Sequence, residues 1–143
     1  MANFDLKRTL RGLLTPFLDH AHRDRIDAAI AKAEKATTGE IHVRVIQHSR
    51  GKDMLALAEV DFHRLGLHGH EDRNRVLILL SVLDRRYAIW GDKGIHAKAG
   101  HALWEKAASA LKDKLSAGKP DDGIVAAIEE IGRELARHYP RGR

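Results

Sequence analysis

The sequence predicts an α/β fold, a three-layer α/β/α sandwich on a small mixed sheet with helices on both faces. Three observations lead there. The stretch "VLILLSV" (76–82) is apolar on both faces, as a central strand covered from both sides must be. It completes a strand–helix–strand order that begins at residue 40, and such crossovers give parallel strands. It is followed by the short turn Asp84-Arg85-Arg86, which returns the chain antiparallel.

The elements follow in order. Leu10, Leu13, Leu14, Phe17 and Leu18 have helical spacing, and Thr15-Pro16 interrupts them, because proline is poorly tolerated inside a helix. Residues 1–18 therefore read as an N-terminal amphipathic helical segment, 19–140 as one domain and 141–143 as a basic tail. Thr15 or Asp19 would cap the next helix, striped by Ile26, Ala29, Ile30 and Ala33, with Gly39 as its C-terminal cap. "EIHVRVIQ" (40–47) alternates as a strand, with Ile41, Val43 and Val45 on one face. Leu55, Ala58, Phe62 and Leu65 stripe a helix, and 66–74 is a polar loop. After the central strand and its turn, "YAIWG" (87–91) is the third strand.

Gly91-Asp92-Lys93-Gly94 then reads as a polar loop. Two helices follow, one striped by Trp104, Ala107, Ala108, Leu111 and Leu115, the other by Ile124, Ile128, Ile131 and Leu135. Lys119-Pro120-Asp121 marks the stop of one and the start of the other. Trp90 and Trp104 read as core or cleft-wall residues.

Composition narrows the function classes. There are no cysteines, which removes disulfides, thiolate metal sites and cysteine nucleophiles. No apolar run reaches the length of a membrane span, and "MANFDLKRTLRGLL" has no apolar signal-peptide core, so a cytoplasmic location is expected. The net charge is +5, but the bases are interspersed with 20 acids and few aromatics, which argues against nucleic acid. The basic amphipathic segment from Lys7 to Leu18 could lie on an anionic membrane; packing on its own domain is the favoured reading. Phosphate loops, dinucleotide fingerprints, zinc-protease helices and serine elbows are missing from the sequence.

The expected topology brings polar chemistry to one end of the sheet. Glu40 starts one strand, Asp72-Arg73-Asn74 precede the central strand, and Asp92 ends the strand that runs the other way. Glu40, Asp72, Asn74 and Asp92 offer the oxygen donors that Ca²⁺ or Mg²⁺ takes. An aspartate between glycines is also an ordinary turn, so a turn, a metal ligand set and a phosphate site all remain open. "HGHED" (68–72) could suit a transition metal, but a solvated loop is the simpler reading.

The residues "IDAAIAKAEKATTGEIHVRV", "FHRLGL", "RNRVLILLSVLDRRYAIWGDKGI" and "ALWEKAASALKDKLSAGKPDDGIVAAIEEIG" resemble the TPM domain family. The family takes its name from a thylakoid lumen protein, a photosystem II repair protein and a worm acetylcholine-receptor modulator. The resemblance runs from about Ile26 to Pro140 and is closest to short, stand-alone bacterial members, without signal peptide or membrane tail. It implies an α/β/α sandwich, and for some members acid-phosphatase-like activity and bound Ca²⁺. The positions matching the family pattern are Glu40, Arg73, Asn74, Asp84 and Asp92. Asp84 belongs to the hairpin turn at the other end of the sheet and reads first as a turn former. Arg75 stands where the family pattern has glycine.

The first expectation is thus a cleft binding Ca²⁺ or Mg²⁺ through Glu40, Asp72, Asn74 and Asp92. The second is a weak metal-dependent phosphatase acting on a phosphorylated small molecule, with Arg73 and Asp92 as catalytic residues and Arg73 or Lys93 neutralising the transferred charge. The third is a protein-interaction domain without catalysis.

Overall fold

A computed structural model describes residues 2–5, 20–81 and 83–142. The described elements are strand β1 (Ala2–Asp5), helix α1 (His20–Glu34), strand β2 (Glu40–Ile46), helix α2 (Met54–Arg64), strands β3 (Arg75–Ser81) and β4 (Arg86–Gly91), and helices α3 (Lys93–Ala99), α4 (His101–Ser116) and α5 (Pro120–His138). The sheet order is β1-β4-β3-β2. β2 and β3 are parallel, and β3 and β4 form the expected antiparallel hairpin.

The central strand is apolar on both faces because both are covered. Val76, Ile78 and Leu80 meet Leu111, Ile124, Ile128 and Ile131 in the main core, against α4 and α5. Leu77 and Leu79 face the other way, where Met54, Ala58 and Phe62 of α2 cover them. Among the described residues, one face therefore carries α2 and the other a helical layer, which is the sandwich the periodicity predicted. The α5 stripe is buried throughout, and Pro120 opens that helix at its first turn as expected.

Four local readings are corrected. Residues 2–5, placed in the amphipathic segment, form a strand that pairs antiparallel with β4 from Ala2–Ile89 to Asp5–Arg86. The stripe from Leu10 to Leu18, its proline break and the cap choice between Thr15 and Asp19 lie outside the described residues. Gly39 does not cap α1, which ends at Glu34; it is buried where any Cβ would meet Leu135 and the Asn74 carbonyl. Leu65 and Val45, read on the same faces as Leu55 and Ile41, are 46% and 42% exposed; Leu65 lies just past the end of α2. The fourth correction concerns Gly91–Gly94. Its last two residues are not loop but the first turn of α3.

Candidate functional site

Strand register builds the site. Glu40 pairs with Arg75, and Val76 with Gly91, so the row that continues past Gly91 brings Asp92 beside Arg75. The Asp92 N–H donates to the Arg75 carbonyl at 3.0 Å. Glu40 and Asp92 therefore flank Arg75 at one end of the sheet, one strand spacing (about 5 Å) to either side. The convergence expected from topology is present. What it converges on is an arginine.

Asp92 has two tasks. It caps α3, accepting from the Lys93 N–H at 2.8 Å. It also accepts a two-pronged bond from Arg73, Nε to Oδ2 at 2.7 Å and Nη2 to Oδ1 at 2.9 Å. The Asp92 side chain is 4% exposed and that of Arg73 33%. Arg73 has a left-handed backbone, φ 52°, unusual for a side chain of its size. Its carbonyl accepts from the N–H groups of Gly94 and Ile95, and the Asp92 carbonyl accepts from His96. The four N–H groups that open α3 are thus all paired within the chain, and none is left for an anion.

Gly94 is required at this corner. A Cβ there would lie 2.1 Å from the Asp72 carbonyl and 2.6 Å from the Tyr139 hydroxyl. Gly91 is packed as tightly, with Trp104 ring carbons 2.2 Å from a Cβ position. Trp104 is wholly buried, and its indole N–H donates to His96 Nδ1 at 2.8 Å. The Trp104 wall of the corner is therefore rigid.

Glu40 lies in the second half of the site. Its Oε1 is 3.0 Å from His42 Nε2, and its Oε2 accepts from Arg75 Nη2 at 3.0 Å. Burial pushes the Glu40 carboxyl up, but His42 and Arg75 outweigh it and hold the group below its ordinary range. Asn74 is fully buried, accepts from Arg75 Nη1 at 2.7 Å and donates to Thr38 Oγ1 at 3.2 Å. Asp72 is exposed. Asp84 sits at the opposite end, where it accepts from the Ser49 N–H and from Ser81 Oγ. That is the turn-forming role expected of it.

Tyr139 is the member of the site that sequence reasoning missed. Thr37 pairs across an isolated bridge with Pro140, and its Oγ1 lies 2.6 Å from the Tyr139 carbonyl. This latch seats the end of α5 against the corner. Burial first, then the charges of Asp72 and Asp92, push the Tyr139 hydroxyl up, so both carboxylates act on it. Lys98 Nζ lies 4.3 Å above its ring.

The donors suit a hard cation by atom type, but not as one four-residue ligand set. Arg75 holds the Glu40–Asn74 half. In the other half, Arg73 holds Asp92 while Asp72 is exposed. Among the described residues, no group of three or more histidines and carboxylates lies close enough to hold a metal ion. The His63 and His68 rings lie 4.5 Å apart, tilted by 38°, and among the described residues the 68–72 loop gathers no metal-binding group of three. Two carboxylates with a water-completed shell remain compatible with Mg²⁺-type binding.

The fold and this strand-end corner define a small α/β/α domain with paired charges where its strands meet. The chain belongs to the TPM domain family, whose model matches residues 14–134. It is similar to the BA42 protein of the psychrophilic bacterium Bizionia argentinensis, at 29% identity and a TM-score of 0.81, over 96% of this chain and 89% of that one. The N-terminal domain of the cg2496 protein of Corynebacterium glutamicum shares the fold at 18% identity and a TM-score of 0.68, over 92% and 87% of the two chains. So does an N-terminal domain from P. gingivalis, at 13% identity and a TM-score of 0.72, over 93% and 85%. No curated protein matches the chain. No helix among the described residues is long and apolar enough to cross a membrane.

Proposed function

We propose that this TPM domain binds a divalent cation, Ca²⁺ or Mg²⁺, at Asp72 and Asp92, in exchange for the Arg73 guanidinium. The observation that carries the reading is the Arg73–Asp92 pair. A nearly buried carboxylate at the strand ends is neutralised by a cationic side chain that is one-third exposed and so can leave. Asp72 adds a second carboxylate near the same tyrosine. An ion held by one or two carboxylates and several waters is the usual Mg²⁺ arrangement, and Ca²⁺ accepts the same donors.

Calorimetric titration with CaCl₂ and MgCl₂ tests this. Asp92→Asn is expected to abolish binding. Arg73→Ala is expected to tighten it at least tenfold, because the internal competitor is gone. The reading fails if Asp92→Asn binds as the wild type does, or if Arg73→Ala gains nothing.

The guanidinium supports a second reading, the metal-dependent phosphatase. Once released from Asp92, the Arg73 fork suits a phosphoryl oxygen, and Lys93 stands next in sequence to add charge. A bound ion would supply Lewis acidity and an acidified water. Turnover of a phosphate monoester that requires the ion and falls in Arg73→Ala supports it. Cation binding without turnover leaves a binding module.

A further inference from the structure

We infer that the Arg75 guanidinium is the resident cation of the Glu40–Asn74 corner and keeps metal ions out of it. The argument is one of contacts. Arg75 Nη2 donates to Glu40 Oε2 and Nη1 to Asn74 Oδ1, so one planar cation bridges the carboxylate and the amide oxygen, two donors a hard metal would take. His42 sits on the other Glu40 oxygen. Thr38 holds the Asn74 nitrogen and so fixes which way its amide oxygen points.

The Arg75 side chain is only 13% exposed, against 33% for Arg73. Its Nε is buried without a hydrogen-bond partner. Moving this guanidinium out would break its bonds to Glu40 and Asn74 and expose a side chain that is largely covered, whereas the Arg73 side chain is already one-third exposed. The two arginines at this end of the sheet therefore differ in kind. Arg73 is an exchangeable counter-ion and Arg75 a fixed one. Of the two halves of this corner, cation binding is confined to the Asp72–Asp92 half, and Glu40 is structural.

This inference extends the proposed cation site but is tested apart from it. The probe is CaCl₂, and the first readout is the side-chain N–H signals of Arg75 in the full wild-type chain by NMR. They are expected to be protected from solvent exchange and to persist unchanged at saturating Ca²⁺. Loss of those signals on adding Ca²⁺, or free exchange without it, overturns the inference.

Calorimetry gives the second readout. Glu40→Gln is expected to change wild-type Ca²⁺ affinity less than twofold, whereas Asp92→Asn reports on the other half alone. Arg75→Ala is expected to add a Ca²⁺ site, or to tighten binding at least tenfold, and Arg75→Ala with Glu40→Gln to lose that gain. Arg75→Lys, which keeps the charge, is expected to show none. A tenfold loss of wild-type affinity in Glu40→Gln, or a folded Arg75→Ala with no gain that depends on Glu40, overturns it. The NMR result decides the matter even if Arg75→Ala does not fold.

Discussion

Arg73 grips Asp92 with two parallel bonds, at 2.7 and 2.9 Å, while Asp92 simultaneously caps α3. The pair therefore links charge at the strand ends to the stability of a helix. Any ligand that takes Arg73 off Asp92 must leave the cap in place, and it can, because the Lys93 N–H uses one oxygen of a carboxylate with several acceptor positions.

Removing the carboxylate separates these two tasks. Asp92→Asn retains an oxygen for the Lys93 N–H, so stability should fall little while cation binding is lost. Asp92→Ala removes cap and pair together and should cost about 1–2 kcal/mol from the cap alone. Urea unfolding of both variants, read beside calorimetry, checks this. Equal destabilisation by the two would mean that the ion pair, not the cap, carries the stability.

Gly94 predicts a larger loss. Its Cβ position lies within 2.7 Å of two backbone carbonyls, those of Asp72 and Arg73, and of the Tyr139 hydroxyl. Backbone cannot step aside as a flexible side chain does. Gly94→Ala should destabilise by roughly 1–3 kcal/mol, the range for overpacking, and should weaken cation binding by displacing Asp72. A variant as stable as the wild type in denaturant unfolding would show that the corner is looser than its contacts imply.

Acid should act on both ends of the sheet. Burial raises the Asp84 carboxyl, but the Ser49 N–H, the Ser49 and Ser81 hydroxyls and nearby His48 outweigh it, so the group lies below its ordinary range, as Glu40 does. A carboxylate lowered in the fold contributes stability that is full above its unfolded value, about 4. That stability is lost as pH falls through the lower folded value. Stability measured by urea unfolding should therefore drop from about pH 4 downward. Glu40→Gln and Asp84→Asn should each flatten that slope. Glu40 is 40% exposed, so its share should shrink further in high salt. An unchanged slope in both variants would remove these groups from the acid response.

Periodicity in the sequence accounts for most of this architecture. The doubly apolar run of β3 and the period-3.6 runs of α4 and α5 are long, and each is buried as expected, whereas the alternating run of β2 buries Ile41 but leaves Val45 exposed. What escaped reading is short or distant. β1 is four residues, "ANFD", too few to show alternation. α3 opens Lys-Gly, which reads as loop until Asp92 is seen to cap it. The Glu40–Arg75 pair spans 35 residues and depends on strand register, which no local pattern encodes. Tyr139 reaches the site through a latch to Thr37, 102 residues away. The acids at the strand ends were legible because topology alone converges them. Their arginine partners were not, because ion pairing depends on how side chains fill the corner.

Tyr139 can report on the site directly. The chain has two tyrosines. Tyr87 is wholly buried, donates to the Ala108 carbonyl, and is pushed far up by burial. Tyr139 is raised by burial and then by Asp72 and Asp92, so the earlier phenolate step in an ultraviolet titration should be its own. Neutralising either neighbour removes negative charge that opposes ionisation. Asp72→Asn should thus move that step to lower pH, and Tyr139→Phe should abolish it. Saturating Ca²⁺ or Mg²⁺ should move it down in the wild type and not in Asp92→Asn, because a cation between the two carboxylates favours the phenolate. A Tyr139 step indifferent to the ion, in a chain that calorimetry shows to bind it, would place the cation away from Asp72 and Asp92.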